Sequence, residues 1–451
     1  AMVYDATEKV TWLFGGSTFY STYGTSADCE EGYAATGNNS CYRALNDLWK
    51  WDGTVWEEVT STDGPNPRHG HTLTYDSVNE KVLLFGGQQF MGAADISCDN
   101  ELNNFSTMQD ANSDGDCFYV DVWEWDGTDW HLPANQSLSD FTYSAGWPVP
   151  PQVPRWVFDD HRQRAVLMPD FTLDFSYQEQ LVMEWDGTSW HEVAMTTEAF
   201  PEDFLQGAWA YDAERNVSVL FGGSSVSQTC SDAVWEWDGT SWDNKIPVSG
   251  EAPQARFAAS MTYHSGLGQS LLFGAHYQSA DFDHVWGWDG ATWVEYATDS
   301  EGPVSRSKPG MAYDAHREEL LVFGGSLMQH QGGIDVRQDF WRWKAPRAVG
   351  VNMDVPFVKA NAKPGFTLLS VETRAVANEN IDLMMNIAGE WEILTKTMDG
   401  IYASGIVDGE ALLDVLSGHE KTLSVRAGSV EEGQTVNLDH LEVRIRYENN
   451  D

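Results

Sequence analysis

A chain of 451 residues with 42% hydrophobic and 13% aromatic residues, including 21 tryptophans, is too apolar for a disordered polymer and long enough to bury a large core. Its formal charge of −43, from 69 acidic and 26 basic side chains, repels nucleic acid and anionic lipid, which excludes both as partners; solubility in a salty or extracellular setting accounts for the acidity. No run of eighteen apolar residues is present, so no membrane insertion is expected, and a chain that opens in a strand pattern with no signal peptide is expected to be the mature or trimmed form of a secreted or cell-surface protein.

The first segment, MVYDATEKVTWLFGG from Met2, recurs as LTYDSVNEKVLLFGG from Leu73, WVFDDHRQRAVLMPD from Trp156, WAYDAERNVSVLFGG from Trp209, MTYHSGLGQSLLFGA from Met261 and MAYDAHREELLVFGG from Met311. A second pattern interleaves with it. WKWDGTVW begins at Trp49, WEWDGTDW at Trp123, MEWDGTSW at Met183, WEWDGTSW at Trp235, WGWDGATW at Trp286 and a truncated WRWKAP at Trp341. Each pair of patterns predicts four antiparallel strands, A to D: two β-rich runs joined by a polar turn, then a hairpin whose Asp-Gly supplies positive φ. In VWEWDG, Trp235 and Trp237 fall on one face of the sheet and Trp242 returns beside them. Such an indole plate has no cover within its own sheet, so the sheets must stack on one another as the blades of a propeller do.

In a meander of this kind the A–B and C–D turns share one end of the blade, and the B–C and D–A connections share the other. The first two scarcely vary among the copies, whereas B–C loops run from about eight to about thirty residues. One elaborated face is expected, and function is expected there. Its two longest loops hold Cys29 with Cys41 and Cys98 with Cys117, two local pairs that fit disulfides in an exported protein, while Cys230 stands alone. The stretch DANSDGDCFYVD has calcium-loop spacing, with Asp110, Asn112, Asp114 and Asp116 as oxygen ligands and Asp121 at the twelfth place; a polar Asx-rich turn is the alternative. Arg68, Arg155, Arg256 and Arg306 precede innermost strands, beside His69 and Trp156. They are expected either to line the axial opening and grip a carboxylate or sugar acid, or to pair with carboxylates of neighbouring blades. Tyr20 and Tyr23 are expected to stack on sugar rings or to pack the first long loop.

The FGG strand ends, the DVWxWDGxxW hairpin and PNPRHGH from Pro65 to His71 together resemble kelch repeats over residues 1–346. The resemblance implies a six-bladed kelch-type β-propeller. It leaves open whether a strand ahead of Ala1 or residues 347–353 complete the sixth blade. Residues 347–451 read as short strands and resemble a galactose-binding-like, jelly-roll-like β-sandwich. The fold expected is therefore all-β, and the function a non-catalytic extracellular binding or adhesion module recognising a glycan or protein. A carbohydrate-active propeller enzyme, sialidase-like or galactose-oxidase-like, is the alternative. WDGTSW resembles the sialidase Asp-box but occupies the turn end, and no G-x-S-x-G or H-E-x-x-H is present.

Overall fold

The computed structural model describes residues 1–21, 34–36, 40–61, 63–90, 108–109, 116–133, 155–168, 182–196, 199–201, 204–225, 229–248, 252–275, 283–296, 302–328 and 334–344, together with the backbone of seven strands between 353 and 449. The chain divides into two units, Ala1–Trp343 and Lys344–Asp451.

The first unit is a six-bladed β-propeller. Blade 2 shows the pattern: Thr72–Asp76, Lys81–Phe85, Val122–Trp125 and Trp130–His131 pair in sequence as strands A to D, all antiparallel. Blades 3, 4 and 5 repeat it, with innermost strands Arg155–Asp159, Ala208–Asp212 and Ser260–His264. Blade 1 is built on Met2–Asp5, and blade 6 on Gly310–Asp314. Each innermost strand packs against the next, and that of blade 6 against that of blade 1, which closes the ring. Among the described residues blade 6 has three strands, Gly310–Asp314, Glu319–Phe323 and Phe340–Trp343, and residues 345–352 lie outside the described set. Met353 pairs with Val425 within the second unit.

The core lies in the seams. Six apolar clusters each draw on two consecutive blades: Trp12 of blade 1 packs with Trp125 and Trp130 of blade 2, and Trp51 of blade 1 with Ala312 and Leu321 of blade 6. The paired tryptophans of one hairpin lie against each other, Trp237 and Trp242 with ring centroids 5.3 Å apart, and are then covered by neighbouring blades. This is why the second tryptophan of each hairpin recurs.

Polar latches reinforce the seams at the turn end. Tyr75 donates to Thr7 Oγ1 at 2.8 Å and Tyr263 to Glu214 Oε2 at 3.2 Å; Tyr211 accepts the His161 N–H at 3.2 Å. Each of these tyrosines reaches the A–B turn of the preceding blade. Tyr4 accepts the His316 N–H in the same way, across the closing seam. In blade 3 the position is Phe158, which has no hydroxyl, and Ser77 donates to Asp160 instead. Arg317 adds to the closure: it pairs with buried Asp314 and donates to the Lys9 and Asp52 carbonyls of blade 1.

The aspartate ending each innermost strand accepts backbone N–H groups of its own turn, as Asp76 does from Val78 and Asn79. Blade 5 has His264 there. Its Nδ1 accepts the Leu267 N–H at 3.1 Å and its ring stacks on Tyr313.

The second unit is all-β as well. Met353–Phe357, Lys421–Gly428, Ile381–Ile387 and Glu390–Thr397 form one sheet in that order, and Ala403–Asp408, Phe366–Ala377 and Leu438–Asn449 another. Leu441, Val443 and Ile445 pair in unbroken register with Ala375, Thr373 and Val371 and share a face, as the alternation in LEVRIRY predicts.

Burial holds the His264 imidazole down at about pKa 4, against its own backbone hydrogen bond and Glu318, which raise it. The folded value lies below the unfolded one, so the contribution is complete above pH 6.5 and is lost as the pH falls towards 4. Between pH 7.5 and pH 5 the protein should lose about 2 kcal/mol of unfolding free energy that a His264→Asn variant retains, measured by urea denaturation at each pH.

Candidate functional site

The long connections share one end of the ring, opposite the Asp-Gly hairpins, and three contiguous blades raise β-ribbons there. In blade 1, Val10–Ser21 and Ser40–Trp51 run on together past the blade and take up Ala34–Thr36; a register shift at Phe14/Gly16 marks where the blade ends and the ribbon begins. Blade 2 adds Gln88–Phe90, Met108–Gln109 and Asp116–Phe118, and blade 6 adds Ser326–Met328 paired with Ile334–Val336. The blade 1 and blade 2 ribbons touch. Blades 6, 1 and 2 therefore form a wall on one side of the axis.

Beneath the wall, two of the arginines expected either to grip a ligand or to pair with carboxylates do the latter, Arg68 with Asp121 and Arg306 with Asp339. Arg68 is 0% exposed; it grips both oxygens of Asp121 at 2.6 and 3.0 Å and donates to the Gly86 carbonyl at 2.9 Å. Its backbone belongs to the other side of the seam, donating to the Leu45 carbonyl and accepting from Gly16 N–H, both at 2.9 Å. Arg306 does the same between blades 5 and 6. It grips Asp339 at 2.6 and 3.1 Å and accepts from Ala275 N–H at 3.1 Å. Arg256 is equally buried, and its carbonyl accepts from Gly223 N–H at 2.9 Å. The approach of these carbonyls explains the glycine pairs. Gly15 has φ +56°, and a Cβ there would stand 2.9 Å from the Arg68 carbonyl oxygen.

Arg155 does not belong with the other three. Arg68, Arg256 and Arg306 stand eight positions ahead of the residue ending the innermost strand, while Arg155 stands four ahead of Asp159, as the first residue of its strand. Trp156 is not on the face either. It is 4% exposed and packs on Phe85 and Trp190 in the seam between blades 2 and 3. Asp121, expected as a calcium ligand, is committed to Arg68 and to the Trp123 indole N–H at 2.7 Å. Asp110, Asn112 and Asp114 lie outside the described residues, and of Asp116 the backbone alone is described. Among the described residues no group of three or more His, Cys, Asp or Glu stands ready for a metal ion. Cys41 is buried and disulfide-bonded, and Cys230 is a free thiol. Cys29 and Cys98 lie outside the described residues, as does Tyr23; of Cys117 and Tyr20 the backbone is described, with Tyr20 paired to Cys41.

His69 lies between the blade 1 and blade 2 ribbons. Its ring bridges the two touching ribbons, with Nδ1 against the Tyr42 hydroxyl and Nε2 2.9 Å from the Gln88 amide. Its backbone pairs with Gln88 in both directions, at 2.9 and 2.8 Å. Desolvation, and then the charge of Lys308, lower its pKa to about 4, so the imidazole is neutral. Tyr119 continues the cluster, donating to Gln89 Oε1 at 2.7 Å with its ring 4.0 Å from the Arg68 guanidinium.

Sequence reading overlooked the residue two after each buried arginine. Gly70, Ala258 and Lys308 all have positive φ, as does Gln206 at the same position in blade 4. Lys308 N–H donates to the Ala258 carbonyl at 2.7 Å, and Ala258 N–H to Gln206 at 2.8 Å. Successive connections thus pass a hydrogen bond around the axis. The signal was available as the constant spacing of these residues from the strand ends.

No family model matches the chain, and no curated protein is similar to it in sequence. Among solved structures, one described as the structure of YjhT is similar at 13% identity and a TM-score of 0.43, over 66% of this chain and 88% of that one.

Arg68→Met should cost about 3–5 kcal/mol of unfolding free energy, because it leaves the Asp121 carboxylate buried without its cation. Adding Asp121→Leu should recover much of the loss; urea titrations of the single and double variants check both.

Proposed function

We propose that the protein is a non-catalytic, kelch-type binding module of an exported protein, and that it holds a glycan at the axial mouth between its ribbons. The observation that carries the reading is the Tyr42–His69–Gln88 bridge. Neutral hydrogen-bonding groups and aromatic edges, fixed in place by two ribbons and gathered at the only strongly varied end of the ring, suit hydroxyl-rich ligands. A protein partner would use the same face. The second unit is read as a β-sandwich formed by its two sheets, of the kind that accompanies such modules. Calcium in the blade 2 loop would rest on Asp110, Asn112, Asp114 and Asp116, without Asp121.

Titration calorimetry against a panel of monosaccharides and oligosaccharides tests the reading. A ligand is expected to bind, and His69→Ala is expected to weaken it at least about tenfold, or about 1.4 kcal/mol, by releasing Tyr42 and Gln88. A panel without binding, or a His69→Ala variant that binds unchanged, rejects the mouth as the site. For calcium, a chelator should lower the melting temperature; an unchanged melt removes the ion from the account.

A further inference from the structure

We propose that the ring is built to open at one place, the turn end of the seam between blades 2 and 3, while the other five seams stay shut.

Two devices cross the seams at the turn end, where the A–B turns of all six blades are described. The first is the tyrosine latch. Every blade but blade 3 has the tyrosine, and in blade 6 it is Tyr313, stacked on His264 of blade 5. The second is an arginine three positions after the residue that ends the innermost strand. Arg162 pairs with Asp159 of its own turn at 2.7 Å and donates to the Gly239 carbonyl of blade 4 at 3.3 Å. Arg215 pairs with Asp212 at 2.8 Å and lies over Gly290 of blade 5, where a Cβ would strike its guanidinium. Arg317 reaches the Asp52 carbonyl of blade 1 in the same way. Blade 2 has Asn79 at this position. Its amide turns back to Asp76 Oδ2 at 2.8 Å, and Gly187, the blade 3 glycine that an arginine would cover, has nothing within 4 Å of where a Cβ would lie. Glu8 and Leu267 hold the position in blades 1 and 5, but the seams they face keep a tyrosine, Tyr75 or Tyr313, and a buried arginine pin, Arg68 or Arg306.

Among the described residues, the turn end between blades 2 and 3 lacks both devices, and one hydrogen bond crosses it, from Ser77 to Asp160. Partial burial, and then the charges of Asp159 and Asp76, push the Asp160 carboxyl up, against the Ser77 hydrogen bond, which lowers it. A carboxylate facing two others, with no cation brought across, is a poor fastening. Apolar packing holds the rest of the seam, with the Phe85 ring 5.5 Å from Trp156 and 5.2 Å from Trp190. Such packing is non-directional, so a seam that relies on it opens locally at a lower free energy than the ring unfolds.

Thiol labelling of the whole chain in native buffer tests this. Ala165 is 0% exposed and sits in the seam to blade 2 with Leu83 and Phe85. Its counterpart in blade 4, Ser218, is 1% exposed and shares a strand face with Leu220 in the seam to blade 3. In a Cys230→Ser background, which removes the free thiol, Ala165→Cys is expected to react with Ellman's reagent at least about tenfold faster than Ser218→Cys. Adding Asn79→Arg, which supplies the missing clamp, should slow Ala165→Cys at least about threefold and leave Ser218→Cys unchanged, whereas Tyr211→Phe should speed Ser218→Cys alone. Equal rates, a faster reaction at Ser218→Cys, an Ala165→Cys rate no greater than that of global unfolding, or one that Asn79→Arg leaves unchanged overturns the proposal. Hydrogen exchange gives the same comparison without any substitution: amides of Arg155–Asp159 are expected to exchange before those of Ala208–Asp212, and the reverse order overturns the proposal.

Discussion

Every blade of this propeller presents an indole-bearing face that its own four strands have no means of covering, and the ring exists because the next blade covers it. The core is consequently six seams. Trp125, Trp185 and Trp237 are each 1% exposed, and Trp288 is 0% exposed, only because neighbouring sheets lie against them. Apolar burial of this kind is strong but non-directional, so it does not by itself set the angle at which two sheets meet. Directional contacts at the two ends of each seam do. The tyrosine latches act at the turn end and the buried arginines at the loop end, where Arg68 and Arg306 are each bonded to both blades they join.

That division of labour frees one face. At the turn end, short Asx-stabilised turns and Asp-Gly hairpins satisfy their own backbone groups and leave no length to vary. At the loop end, the arginine pins the base of each connection where it appears, as Arg68 and Arg306 do, so residues beyond the pin can be long in one blade and short in another without disturbing the seam. The ribbons of blades 6, 1 and 2 exploit this freedom. His69, immediately after a pin, is held rigidly enough to bridge two of them.

Much of the fold was legible in the sequence. The six recurrences of the strand pattern, the Asp-Gly hairpins and the face assignment of the tryptophans all reappear in the sheets, because each reports a local requirement: a period-two strand, a positive φ, a plate needing cover. The site was less legible. Arg68 and Arg306 were expected either to grip a ligand or to pair with neighbouring carboxylates, and the choice was left open because guanidiniums that bind a ligand and guanidiniums that neutralise a neighbour's aspartate look alike in a one-dimensional string. Arg155 joined them by proximity to a strand, and only the strand register showed it to be four positions out of phase.

By itself the sequence determined that the first unit is a ring of repeated sheets with one variable end, because those features follow from periodicity and from apolar surface that must be covered. The tertiary structure alone decided which charges face solvent. Asp121 and Arg68 are 53 residues apart, and their mutual neutralisation depends on how two blades meet across a seam. The same meeting buries Trp156, leaves Lys308 exposed, and brings Tyr42 of one blade to Gln88 of another around a single imidazole. Such contacts arise from packing between distant segments, which no local pattern encodes.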